Sequence, residues 1–230
     1  MKRFYNTVDV DEQDGGYVIL LDGRTVKTPE KRLAIVPNPD LADMLAQEWR
    51  DQGEDILPHR MPMNKYLCTA IDRVTTQREV LIEELVNYGG TDQICYRAEH
   101  PVELVQRQQE KWDPIIDWMS GRLGIPLKVT TGIVPVEQGT EVLDKLRNKL
   151  ARINEFQMAA LHNMTTLTGS VSIALALFHE HLDEENAWAA CQLDEDFQIE
   201  HWGEDEEAEQ RRANMRAELG NAVRFLSLVR

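Results

Sequence analysis

Met158-Ala-Ala-Leu-His-Asn-Met-Thr-Thr-Leu-Thr-Gly-Ser-Val-Ser-Ile-Ala-Leu-Ala-Leu-Phe178 decides how this chain is read. From Phe156 to His179 there is no Asp, Glu, Lys or Arg, in a chain where 28% of residues are charged. A helix apolar on nearly every face has to be surrounded by protein. The stretch therefore predicts a buried central helix with other helices packed around it. It is long enough to span a bilayer. However, His162, Asn163, Thr165, Thr166, Thr168, Ser170 and Ser172 lower its hydropathy, and no integral membrane segment is expected.

Helical signals continue on both sides. Downstream, Asp183 starts a helix that runs through Trp188 toward Phe197, and Gly203 interrupts it. A last helix carries Ala208, Met215, Leu219, Ala222, Leu226 and Val229 as a core stripe. Upstream, Leu143, Leu146, Leu150 and Ile153 mark a helix over 140–153. Residues 127–133 read as one isolated strand between Pro126 and Pro135. Residues 102–123 read as helix, with Pro114 either kinking it or starting a new one capped by Asp113.

The first 37 residues read differently. Phe4 to Val10 alternates loosely. Tyr17-Val-Ile-Leu-Leu21, Asp22-Gly23 and Arg24-Thr-Val-Lys27 form a hairpin signature, because Asp-Gly suits a two-residue turn with positive φ. Leu33 to Val36 is a further short strand. Asn38 caps a helix that has Pro39 at its first position and Gly53 as a left-handed close. Residues 64–74 and 76–88 read as two more helices ended by Gly89-Gly90, with 91–97 extended. The expected class is α+β: an N-terminal β-rich part with helices (1–92) and a C-terminal multi-helical part (93–230) around the buried central helix. Trp49, Trp112 and Trp188 are expected to act as structural anchors.

Composition limits the function. The chain has 230 residues, 40 acids and 25 bases, for a net charge of −15. Phosphate binding needs a basic footprint, so a nucleic-acid partner is not expected, nor is an anionic membrane surface. Cys68, Cys95 and Cys191 are odd in number and widely spaced, which suits a reducing compartment. Neither a GxxxxGK[ST] nor a GxGxxG phosphate loop occurs, and no GxSxG elbow. No cofactor is expected.

Two clusters remain. His179-Glu180-His181 is the best metal candidate, with Cys191 and His201 as further ligands. Yet side chains two apart on a helix point roughly 200° apart, and the spacing fits no zinc pattern. No metal is expected; a metal-dependent hydrolase using His179, His181, Cys191 and Glu195 stands as the alternative. The second cluster is acidic. Asp183, Glu184, Glu185, Asp194, Glu195, Asp196, Glu200, Glu204, Asp205, Glu206, Glu207 and Glu209 follow one another with no Lys or Arg among them. Helix N-termini account for the first three and for 204–207. They account poorly for Asp194-Glu195-Asp196, which are expected inside a helix beside Leu193, Phe197, Trp188 and Trp202. Carboxylates among aromatics suggest a recognition patch or a buried polar network.

The order of motifs resembles one family, the assembly chaperones of F1-ATPase that handle its α subunit: the mitochondrial F1 assembly factor two and its bacterial relatives. The matching pieces are Arg3-Phe4-Tyr5, Leu21-Asp22-Gly23-Arg24, Lys27-Thr28-Pro29, Glu48-Trp49, Thr69-Ala70-Ile71-Asp72, Thr91-Asp92 and Cys95-Tyr96-Arg97-Ala98. They continue with Gln108, Trp112-Asp113-Pro114, Asp117-Trp118, Ala160-Leu161-His162, Gly169-Ser170, Ala174-Leu175-Ala176, Ala187-Trp188, Leu193-Asp194-Glu195, Trp202-Gly203 and Arg211-Arg212. The resemblance implies a monomeric, non-enzymatic chaperone that binds the free α subunit and shields its β-contacting surface until F1 assembles. It places the required acid in Leu193-Asp194-Glu195, with Glu195 as the first choice and Asp194, Asp196, Glu200 and Trp202 as further partner-binding residues. Where the family commonly has Trp after the acids, this chain has Phe197. Mitochondrial members carry a leader; this chain starts at the first shared motif, which implies a bacterial, cytoplasmic protein.

Overall fold

Two Asp-Gly pairs shape the N-terminal sheet. Asp14-Gly15 joins β1 (Val8–Gln13) to β2 (Gly16–Leu21), and Asp22-Gly23 joins β2 to β3 (Arg24–Thr25). All four residues have positive φ, of 54°, 77°, 47° and 76° in chain order. That is the two-residue turn whose twist matches the strands it joins. The register follows, with Gln13 opposite Gly16 and Leu21 opposite Arg24. The strand expected over 4–10 begins only at Val8. The expected strand at 33–36 survives as single bridges, Lys27 to Leu33 and Tyr17 to Val36.

The computed structural model describes residues 1–132, 134–203 and 205–230. They form two compact units: 1–78 with 154–160 and 224–230, and 79–153 with 161–223. The architecture is α+β, with the small antiparallel sheet near the N-terminus and a multi-helical remainder.

In the first unit, α1 (Pro39–Arg50) starts as expected, with the Asn38 side chain accepting from the Leu41 amide at 2.9 Å. Its end differs. The helix stops at Arg50 on a right-handed Asp51, and Gly53 is not left-handed. The expected helix at 64–74 begins earlier, as α2 (Pro62–Cys68), and continues as a π-helical turn over Thr69–Val74. A π turn leaves carbonyls without their usual partners. The Ile71 carbonyl is met by Arg32 Nη1 at 2.7 Å, and the Asp72 carboxylate accepts from Thr28 Oγ1 at 2.7 Å. Glu48 accepts from the Met63 and Asn64 amides at 2.8 and 2.9 Å, satisfying the first turn of α2. Val18, Ile19, Leu41, Leu45, Met63 and Leu67 form the core, and Phe225 stacks on Tyr66 at 5.0 Å.

The second unit begins within α3 (Thr75–Gly90), which keeps Gly89 and Gly90 inside the helix. After a short 3₁₀ turn, β4 (Tyr96–Arg97) pairs in parallel with β5 (Thr130–Thr131). The strand expected around 127–133 is therefore shorter and is not isolated; its last residue, Ile133, lies outside those described. α4 runs over Val102–Leu123 as one helix with Pro114 inside it, closed by a left-handed Gly124. α5 follows at Thr140–Leu150.

The central stretch is not one helix. α6 (Glu155–Thr168) ends at Gly169, φ 66°, and α7 (Val171–Phe178) restarts on Ser170, whose hydroxyl accepts from the Ile173 amide at 3.0 Å. The buried core expected there is α7, where Val171 to Leu177 are all buried. On α6 the face with Asn163 and Thr166 stays more open, and His162 Nε2 lies 2.8 Å from Glu84. α7 packs on α4 and on α8 (Glu184–Cys191), which Asp183 caps. Asp92, fully buried, accepts from the Ser172 amide and hydroxyl at 2.9 and 2.8 Å and so holds the start of α7. Burial raises the Asp92 carboxyl above its ordinary range, against those hydrogen bonds. α8 stops at Gln192, α9 covers Leu193–Trp202, and α10 covers Glu206–Leu228.

Candidate functional site

The break at Gln192 changes the meaning of the acidic segment. Asp194, Glu195 and Asp196 were expected inside a helix that began at Asp183. They occupy instead the first turn of α9, where the helix dipole and the unpaired amides favour carboxylates. The local charge pattern is thus explained by a helix start, as it is for Glu184 and Glu185.

Each of the three acids also has a partner from another element. Asp194 accepts from Gln108 Nε2 at 2.7 Å. Glu195 pairs with Arg211 and lies 3.9 Å from Arg212, while Asp196 pairs with Arg212. The Glu195 side chain keeps 30% of its surface exposed and Arg212 only 15%. The turn is therefore a half-buried, neutralised ridge, with α10 supplying the cations. At the other end of α9, Glu200 shares Arg107 with Glu103, each at 2.8 Å. The Arg107 guanidinium lies 5.4 Å from the Phe197 ring centroid.

A polar chain supports this ridge from below. Gln108, buried in α4, holds the Ala98 amide with its Oε1 at 2.8 Å while its Nε2 reaches Asp194. The Gln108 carbonyl accepts from Arg97 Nη1 at 3.0 Å, and the same nitrogen lies 2.9 Å from Asp113. Burial lowers the Arg97 pKa from its ordinary value. Its guanidinium lies 5.2 Å from the Trp112 ring centroid.

The aromatic residues divide. Trp112 is buried and donates to the Ala190 carbonyl at 2.8 Å. Trp188 is buried with Arg212 and Arg216 each 6.0 Å from its ring. Trp49 is half-buried and donates to Asn64 Oδ1 at 3.0 Å. Trp202 is the exception, 77% exposed. The structure brings Glu195 and Asp196 together with Arg211 and Arg212, and places Trp202 and Glu200 at the far end of the same helix. Glu204 lies outside the described residues. Gln108, Arg97 and the Arg211-Arg212 pair were not assigned a site role from sequence, although each stood in the motif order.

His179 and His181 do not form a metal site with the other expected ligands. Both rings lie against Trp118, at 5.7 and 4.8 Å between centroids, and His181 is stacked almost parallel to it. Burial pushes the Cys191 thiol up to about 12. Among the described residues no cluster of three or more His, Cys, Asp or Glu able to hold a metal ion occurs. The hydrolase alternative therefore has no cluster to rest on there. Nor is any described helix long and apolar enough to cross a membrane.

The family model for ATP12 chaperone protein matches residues 2–120. The mitochondrial atp12 protein of Schizosaccharomyces pombe is 28% identical over 219 residues, spanning 90% of this chain and 75% of that protein. The mitochondrial ATP12 protein of Saccharomyces cerevisiae is 25% identical, spanning 90% and 77%. The crystal structure of Atp12 from Paracoccus denitrificans is 40% identical, with a TM-score of 0.95 over 100% of this chain and 98% of that one.

Proposed function

This chain belongs to the ATP12 chaperone family, and from that premise we propose that it acts in assembly of the F1 sector of ATP synthase by binding the free α subunit. It covers the α surface that later meets β until the ring forms. The observation that carries this reading is the end-to-end likeness, at 40% identity over the whole chain, to a solved Atp12. The physical case supports it. An orphan subunit of a ring exposes apolar surface that invites self-association. A strongly acidic cap, net charge −15, keeps such a complex dispersed, and a tighter native partner displaces it.

The first turn of α9 is the proposed recognition element, with Glu195 foremost, then Asp194 and Asp196, and Glu200 and Trp202 further along the helix. Glu195 is already paired with Arg211, so a basic side chain of the α subunit would compete with that arginine for it. The proposed site of action is the bacterial cytoplasm, as a monomer and without catalysis.

A pull-down tests the reading. The immobilised protein is offered separately expressed α, β and γ subunits of its host's F1. Selective retention of α is the expected result. Equal retention of all three would point to a nonspecific holdase, and retention of none by folded protein would reject the assignment.

A further inference from the structure

Beside the acidic turn, an open groove of about 760 Å³ lies between α9, β4 and the start of α4. Its apolar surface comes from Phe197, Leu104, Pro101 and Trp202. No large apolar side chain among those described is more exposed than Trp202, at 77%. Val102, next to Pro101, is 70% exposed. An indole held so open at the mouth of an apolar groove is unusual for a surface with no partner.

Two further observations define what fits there. Arg97 lines the groove, and its buried Nη2 has no hydrogen-bond partner. A buried donor left without an acceptor is costly, and an incoming carbonyl would relieve it. Asp194 lines the groove, and the Glu99 carboxylate lies against Gly132 at its edge. The flanks are therefore acidic, and they select a basic flank on whatever binds.

We propose that this groove receives a short extended segment of the α subunit. An apolar or aromatic side chain of that segment packs between Trp202 and Phe197, a backbone carbonyl accepts from Arg97, and an adjacent Lys or Arg meets Asp194. The proposal rests on the α-subunit reading and adds the contact surface and the chemistry of the bound segment. It joins the charged ridge at the start of α9 to the apolar groove, which runs from Asp194 to Trp202 along the same helix.

The test is a titration of the full-length protein with purified α subunit, comparing wild type, Trp202→Ala and Val80→Ala. Val80 is also exposed, at 56%, and lies outside the groove. Truncation of a central aromatic contact is expected to weaken binding about 30-fold, with Val80→Ala binding as wild type and both variants melting as wild type. Wild-type affinity in Trp202→Ala would overturn the groove while leaving the α-subunit reading standing. Absence of binding by wild type itself would remove both. A change in self-association of Trp202→Ala with α binding unaltered would mean that the groove holds a second copy of this chain, and would also overturn the proposal.

Discussion

Asp22 shows how one carboxylate can fix a corner of the structure. Its Oδ1 accepts from the Asn6 and Thr7 amides at 2.9 and 2.8 Å, which ties the entering chain to the hairpin turn. Those backbone hydrogen bonds hold its pKa below the ordinary 3.8. A carboxyl lowered in the folded state stabilises above the unfolded pKa, and that contribution is lost as pH falls through the folded value. Asn tolerates the same positive φ, so Asp22→Asn tests the charge alone. The variant should melt below wild type at pH 7, and the gap should close as the pH falls below the ordinary 3.8 and through the lowered folded value. A constant gap at all pH values would show that charge is not the cause. At this scale the sequence was partly legible. The Asp22-Gly23 turn follows from residue type, and Asp14-Gly15 carries the same signal. The partners of Glu195 and Asp196 were not legible, because Arg211 and Arg212 lie sixteen residues away across a helix break, beyond any local period.

Among the elements, helix breaks were the hardest feature to read. Thr168-Gly-Ser170 carried both signals, a left-handed Gly and a Ser that caps the next helix. The lack of charge on either side masked them, since periodicity cannot show a break in a run that is apolar almost throughout. Gly169→Ala measures that break directly. A Cβ there would sit 2.6 Å from Gln93 Oε1, on a backbone of φ 66°. The left-handed conformation alone costs a non-glycine residue about 1–2 kcal/mol, so the variant should lose at least that in denaturant unfolding. Unchanged stability would mean that the α6–α7 junction relaxes freely. The break at Gln192 has no such signal: no side chain caps the new helix, and its backbone sits at φ −99°, ψ 3°. Here packing of α9 on α4 decides, and the acids fall in a first turn for a reason outside their own segment. By contrast α4 was readable, because its apolar spacing and its Leu123 end are local, whereas α5 was placed by its spacing but stops at Leu150, short of the expected end at 153.

For the whole molecule, the motifs that carried the resemblance prove to be joints. Lys27-Thr28-Pro29 meets Thr69-Ala70-Ile71-Asp72 through the Thr28 to Asp72 hydrogen bond. Glu48 satisfies the start of α2, and Arg97, Gln108 and Asp113 form one network that ends at Asp194. The α+β class was legible because strand and helix periods segregate along the chain. The mutual arrangement of the joints was not, because they link residues 11 to 86 positions apart, beyond any local period. The proposed role is to keep a free F1 α subunit from aggregating, through the acidic turn of α9. Light scattering of α diluted from denaturant, with and without this protein, measures it most directly. Wild type should suppress scattering at equimolar ratio. Glu195→Lys, which places a third cation against Arg211 and Arg212, should keep its helical circular dichroism and fail to suppress it. Full suppression by that folded variant, or none by wild type, would contradict the account.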